Sequence, residues 1–171
     1  MSKTFKQAAY GYVGGVSMAN AGCGPSALAA IIYNKDTGVT PAKVADWLRK
    51  NGYFSENGTT RTGVTRALAH YGFQSLYLTP EHSGNIEWKT ALEVMKATHE
   101  GRIWAIVLVV GRKNGGKSDY WTSGGHFLAI TDYKDGMLYV RDSGARNRTG
   151  YHSPDLLKGD VNAVWIITEV Y

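Results

Sequence analysis

Cysteine is nearly absent from this chain. With Cys23 alone among 171 residues, no intrachain disulfide forms and no multi-cysteine zinc site is available. The lone thiol is left three roles: a buried filler, a reactive group or an intermolecular link. No apolar stretch approaches the ~18 residues of a membrane span, and the N-terminal MSKTFKQAAYGYVGG lacks the apolar core of a signal peptide. The expectation is a protein made in the cytoplasm, released by lysis or carried out by another route. Repeats, low-complexity tracts and linkers are missing as well, and 43% hydrophobic residues suffice for one domain spanning 1–171 with an ordinary core. HExxH pairs, calcium loops and dinucleotide fingerprints are not found, and neither metal nor cofactor is expected.

Charge is present but unfocused. A formal net charge of +5 mildly favours anionic partners. The basic residues are scattered, with small groups at Arg112, Lys113 and Lys117 and at Arg141, Arg146 and Arg148. Scattered charge reads as a solvated face, so nucleic acid is not an expected partner. Oligomeric state is not legible.

The order of elements is informative. GPSALAAIIYNK reads as a helix with Pro25 in its first turn and Ala27, Leu28, Ile31 and Ile32 on a buried face. Thr40 caps a second helix, Pro41 starts it and Gly52 ends it. TGVTRALAHYG makes a third, stopping at Gly72, and IEWKTALEVMKATHEG a fourth with Ile86, Thr90, Val94 and Ala97 aligned. The period then changes. RIWAIVLVVG is a central strand by its β-branched content, and GHFLAITDY and GMLYVRD form a hairpin through a three-residue KDG turn. NAVWIITEV is the last strand. Helices followed by antiparallel strands predict an α+β domain, a helical layer on a twisted sheet.

Candidate chemistry starts at the thiol. At the head of the GPSALAAIIYN helix, the sulfur of Cys23 meets the positive end of the helix dipole and unpaired N–H groups, which favour thiolate, the nucleophilic form. Gly22 and Gly24 permit tight bending and close approach of a substrate, which a core filler does not need. A thiolate nucleophile requires a base held by a third group. His70, His82, His99 and His152 lie in polar or helical surroundings typical of solvated residues, whereas His126 follows two glycines at the start of a strand. The hairpin returns the chain beside it, and Asp142, 16 residues on, ends the returning strand. Asp132 and Asp135 fall at the far turn. Tyr10, Tyr12, Tyr120 and Trp121 are candidate cleft linings, though core packing is the commoner role for aromatics. GRKNGGKS, residues 111–118, satisfies a phosphate-loop pattern, but DYWTSGGHF behind it supplies no helix, so a surface loop is expected.

AGCGPSALA before a helix, GGHFLAITDY opening a strand and LYVRDSG closing its partner resemble the C39-like group of papain-fold cysteine peptidases. There GCGP(S/T) carries the nucleophile, a GH motif the base and a D(P/S) motif the orienting Asp. The motifs run from Gly22 to Gly144. The resemblance implies a papain-like fold with Cys23 as nucleophile, His126 as general base and acid, and Asp142 orienting the imidazole. The family's oxyanion donor is a glutamine upstream of the cysteine. Gln7 is the only one here, 16 residues before Cys23, whereas the leader-peptidase branch carries its glutamine much closer, where this chain has Ser17. Gln7, Asn20 and the Cys23 backbone N–H are therefore all candidates. The implied function is thiol-dependent hydrolysis of a peptide or isopeptide amide, in a peptidoglycan peptide or a protein. A chain without a transporter domain is not expected to remove leader peptides during export. Two alternatives stand beside hydrolysis: acyl transfer or transpeptidation through the same thioester, and a non-catalytic binding module that keeps the fold.

Overall fold

A computed structural model describes residues 1–80 and 85–170. An N-terminal segment with a single 3-10 turn (Gln7–Tyr10) leads into a small hairpin (β1, Tyr12–Val13; β2, Val16–Ser17), a one-turn helix α1 (Met18–Ala21) and helix α2 (Cys23–Ile32). Helix α3 (Pro41–Lys50), a second small hairpin (β3, Phe54–Ser55; β4, Gly58–Thr59), helix α4 (Arg61–His70), strand β5 (Phe73–Leu78) and helix α5 (Trp88–Lys96) follow. The chain ends in β6 (Ile103–Val110), β7 (Gly125–Lys134), β8 (Met137–Arg141), β9 (Gly150–His152) and β10 (Val161–Glu169).

Local chemistry accounts for the helices. The Thr40 hydroxyl accepts from Lys43 N at 3.2 Å, and Pro41 occupies the first turn of α3, as capping requires. Thr60 does the same for α4 through Gly63 N at 3.0 Å. Val44, Ala45 and Leu48 of α3 and Val64, Ala67 and Leu68 of α4 are fully buried. Helix α2 has no exposed face: every residue from Gly24 to Ile32 is buried, so its apolar positions form a cylinder rather than the expected stripe. Helix α5 differs from the sequence reading in phase. Ala91 and Met95 are its buried residues, whereas Thr90 and Val94 are half-buried and Ala97 is exposed.

Six strands form one antiparallel sheet in the order β5-β10-β6-β7-β8-β9. Its two faces bury different partners. Trp104, Ile106, Phe127, Ala129 and Trp165 face α2, α3 and α4, while Ala105, Val107, Val109, Leu128 and Ile130 face α5. Both sides of β6 are thus covered, which is why its sequence is an unbroken apolar run. The expected helical layer is α2 to α4, and α5 closes the opposite face.

The hairpin between β7 and β8 is tighter than expected. Lys134 pairs with Met137, leaving Asp135 and Gly136 as a two-residue turn, both at positive φ (53° and 77°). Asp-Gly tolerates this pair of left-handed residues, and the turn's twist matches that of the strands. Among the described residues no helix is long and apolar enough to cross a membrane.

Candidate active site

Cys23 is the first residue of α2, where the leading N–H groups have no partner within the helix. The glycines on either side serve internal packing rather than substrate approach. A Cβ at position 22 would stand 2.5 Å from Met18 O, and one at position 24 would stand 2.4 Å from Thr59 Oγ1. Gly22 thereby lets α1 run into α2, and Gly24 seats the β3-β4 hairpin against α2. Burial pushes the Cys23 thiol pKa up, but the hydrogen bond and charge of His126, with the backbone N–H groups of Phe127 and Gly24, outweigh it and hold the thiol below its ordinary value. Phe127 belongs to β7, so the docking of helix on sheet supplies part of this stabilisation.

His126 is the second residue of β7, paired with Val109 of β6, and is 8% exposed. Its Nε2–H donates to Asp142 Oδ1 at 2.7 Å, which leaves Nδ1 for the sulfur. Asp142 directly follows β8 and is 1% exposed. Its carboxylate also accepts from Gly144 N at 2.9 Å and Arg148 N at 3.0 Å. Burial pushes the imidazole pKa down, yet the bonds to Asp142 and Cys23 and the charges of both raise it to about 9. The Asp142 carboxyl is raised by burial and lowered more by the His126 bond and charge and by the two backbone N–H groups, a net fall. All three directions favour thiolate, imidazolium and carboxylate together.

Gln7 reaches the same cleft from the far N-terminus. Its amide oxygen accepts from Ser143 Oγ at 2.9 Å, and its Nε2 donates to Met18 O at 3.2 Å and Ala19 O at 3.0 Å. Gln7 N also bonds Ser143 O at 3.0 Å. The residue therefore braces the Asp142 loop against α1. Asn20 of α1 lines the cleft as well, exposed. Sequence reasoning left Gln7, Asn20 and Cys23 open as donors, and the fold puts all three around one volume of about 230 Å³ together with His126, Asp142 and Trp121.

The other candidates scatter. Of the four aromatics, only Trp121 lines this cleft. Tyr120 packs edge-on against Trp121, Tyr10 packs against Phe5, and Tyr12 is 74% exposed. His70 stacks on Trp47, and His99 is exposed near Asp132. His152 is half-buried rather than solvated, bonding Arg148 O and meeting Trp121 edge-on. His82 lies outside the described residues. The cleft residues that sequence reasoning missed are Thr122, Ser123 and Ala145, whose small side chains carry no pattern of their own, and Arg146, which read as one of a scattered basic group.

The phosphate-loop look-alike makes a 3-10 turn over Arg112–Asn114 and no helix. Its donors are already engaged. Asp160, 1% exposed, accepts from Lys117 N at 2.7 Å, Ser118 N at 3.0 Å and Ser118 Oγ at 2.5 Å. A carboxylate of the chain itself occupies the amides that a phosphate would need.

Comparison with known proteins agrees with this architecture. The peptidase domain of Streptococcus ComA, a bi-functional ABC transporter involved in quorum sensing, superposes with a TM-score of 0.58 at 16% identity, covering 94% of this chain and 98% of that one. A double glycine motif protease from an AMS/PCAT transporter, solved in complex with its leader peptide, gives 0.54 at 15% identity over 86% and 84%. At such identities the likeness is one of fold, the papain-like α+β fold of C39 domains. A search of curated sequences returns no match. The profile of the peptidase C39-like family, however, matches residues 3–170, nearly the full length, and the chain belongs to that family.

Proposed function

We propose that this protein is a cysteine peptidase that hydrolyses a peptide or isopeptide amide through a thioester on Cys23. The observation that carries the reading is the 2.7 Å His126–Asp142 pair sharing one cleft with Cys23, whose thiol pKa His126 lowers. In the resting state the sulfur is a thiolate and the imidazole is protonated. The thiolate attacks the carbonyl carbon, forming the C–S bond and pushing the π electrons onto oxygen. The Cys23 backbone N–H and Gln7 Nε2 receive that oxygen. An oxyanion is a stronger acceptor than the neutral Met18 and Ala19 carbonyls that hold Gln7 at rest, so it draws one N–H from them. As the tetrahedral intermediate collapses, the C–N bond breaks and His126 gives its proton to the departing amine.

Neutral His126 then removes a proton from water while the oxygen attacks the thioester. The C–O bond forms, the C–S bond breaks, and the acid product leaves thiolate and imidazolium as they began. Asp142 holds the ring through Nε2 so that Nδ1 stays on the sulfur, and it stabilises the imidazolium without taking its proton.

Peptide substrates suit an open cleft, and the leader peptide bound to the AMS/PCAT protease is one instance in a protein of similar fold. Incubation with extended peptides and with cross-linked stem peptides, followed by mass spectrometry, tests the reading. The expected results are new amine and acid termini, an acyl adduct on Cys23, and loss of both in Cys23→Ala. Cleavage that survives Cys23→Ala overturns it. Adding amine nucleophiles distinguishes transfer from hydrolysis by the mass of the product.

A further inference from the structure

The cleft has two arms that meet at the sulfur. One, about 230 Å³, contains His126, Trp121, Gly144 and Arg146. The other, about 370 Å³, contains Glu56, Thr59, Arg61, Leu108 and Phe127 but not His126. The imidazole must protonate the departing amine, so the leaving-group side of a substrate lies in the first arm. This assignment rests on the thiol mechanism proposed above.

Two loops remote in sequence flank that arm, residues 111–124 and 142–149, and each brings cations. Arg146 is the one that lines the arm. Its Nη1 donates to Asp119 O and, at 3.0 Å, to Tyr120 O. Two backbone carbonyls thus anchor one corner of the guanidinium, while the Nε–H and Nη2–H edge has no partner among the described residues. That edge is the one whose paired N–H groups match the two oxygens of a carboxylate. Lys113 lies against Gly124, where a Cβ would meet its Cε at 3.6 Å. Among the described residues no carboxylate pairs with the side chain of either Arg146 or Lys113. Asp142 is committed to His126 and backbone N–H groups, and Asp119 to Arg112 N at 2.8 Å.

We propose that Arg146 is a specificity residue that receives a carboxylate of the substrate's leaving segment, within the first residues after the scissile bond. The carboxylate comes either from an acidic side chain or from a free C-terminus, and the same guanidinium edge fits both.

The test compares alkylation of Cys23 by iodoacetate and by iodoacetamide, in each case with the sulfur displacing iodide. His126 attracts the anionic reagent in every variant, so the change in rate ratio isolates Arg146. The expected result is a fall of about fivefold in the iodoacetate-to-iodoacetamide ratio in Arg146→Gln, the scale of an exposed ion pair, with the iodoacetamide rate itself unchanged. Arg146→Lys, which keeps the charge without the fork, falls less. In a second arm, Gly-Asp amide, Gly-Asn with a free carboxylate and Gly-Asn amide compete with iodoacetamide. Protection by the first assigns an acidic side chain, protection by the second a C-terminus, and the neutral amide protects least. An unchanged ratio in Arg146→Gln, or equal protection by all three peptides, overturns the inference. Brisk labelling without carboxylate preference overturns it alone, whereas no labelling by either reagent overturns the thiolate reading and this inference with it.

Discussion

Replacing His126 with Ala removes the largest influence that lowers the Cys23 pKa. Burial then remains, opposed only by the backbone N–H groups of Phe127 and Gly24, so the thiol returns to its ordinary value of about 8.5 or rises above it. At pH 6 an ordinary thiol is about 0.3% thiolate, and His126→Ala is expected to react with iodoacetamide at that fraction of its own alkaline plateau. The unaltered chain, whose thiol His126 holds below its ordinary pKa, is expected to keep a larger share of its plateau at the same pH. The contrast between the two normalised rates is expected in that direction, with three-hundredfold, about 3.4 kcal/mol, as its ceiling at full ionisation. Because Cys23 is the only cysteine, intact-mass spectrometry after timed quenching reads one site. Comparing each variant with its own plateau cancels the lower intrinsic nucleophilicity of a more acidic thiol. Superimposable pH profiles for the two proteins would refute the ion pair, and the thiolate mechanism with it.

On the proposed mechanism the same pair sets the pH range of catalysis: activity is expected to rise as Cys23 ionises, below the ordinary thiol range, and to fall above about pH 9 as His126 loses the proton it would donate, as read by kcat/KM against pH. The imidazolium's contribution to stability follows the same sign, complete below about pH 6.5 and lost as pH rises through about 9. Asp142→Asn replaces an acceptor of three hydrogen bonds, the imidazole and two backbone N–H groups, with a half-donor. The expected cost is about 2 kcal/mol in urea unfolding, together with a shift of the alkaline limb of kcat/KM to lower pH. Gln7→Ala is expected to lower kcat at least tenfold with little change in KM, and Asn20→Ala to leave kcat within about twofold; the reverse pattern would assign the oxyanion to Asn20. Thr40→Ala removes a cap remote from the cleft and is expected to cost about 1 kcal/mol of stability with activity intact.

Several features of this molecule were legible because they are short-range and chemically strong. Thr40-Pro41 marks a helix start by itself, the apolar run Ile103–Val110 requires a strand covered on both faces, and the three motifs around Cys23, His126 and Asp142 stand in an order that one sheet brings together. What escaped depends on partners elsewhere in the chain. Helix α5 was set a step out of phase because apolar residues flank both sides of its stripe, and only the sheet face it meets selects Ala91 and Met95 over Thr90 and Ala97. Two-residue strands such as β3 and β4 are too short to carry a period, and the edge strand β9 exists only through its pairing with β8. Gln7 illustrates the same limit: sequence spacing made it a distant oxyanion candidate, while hydrogen bonds to Ser143 carry it to the cleft. Nothing near Arg146 in sequence announces that residues 119 and 120 will hold its guanidinium.

The carboxylate of Asp160 within the GGKS turn has a bearing on how such strings are read. Nucleotide pockets and this turn place the same kind of amide cradle on the same letters, and what separates them is whether the polypeptide fills the cradle itself. Here a residue some forty positions downstream acts as a permanent resident, turning what would be a docking berth into a rivet that ties the 111–118 turn to the head of the final strand. A glycine-lysine-serine signature is therefore informative about ligands only after every acidic side chain that the fold returns to it has been accounted for.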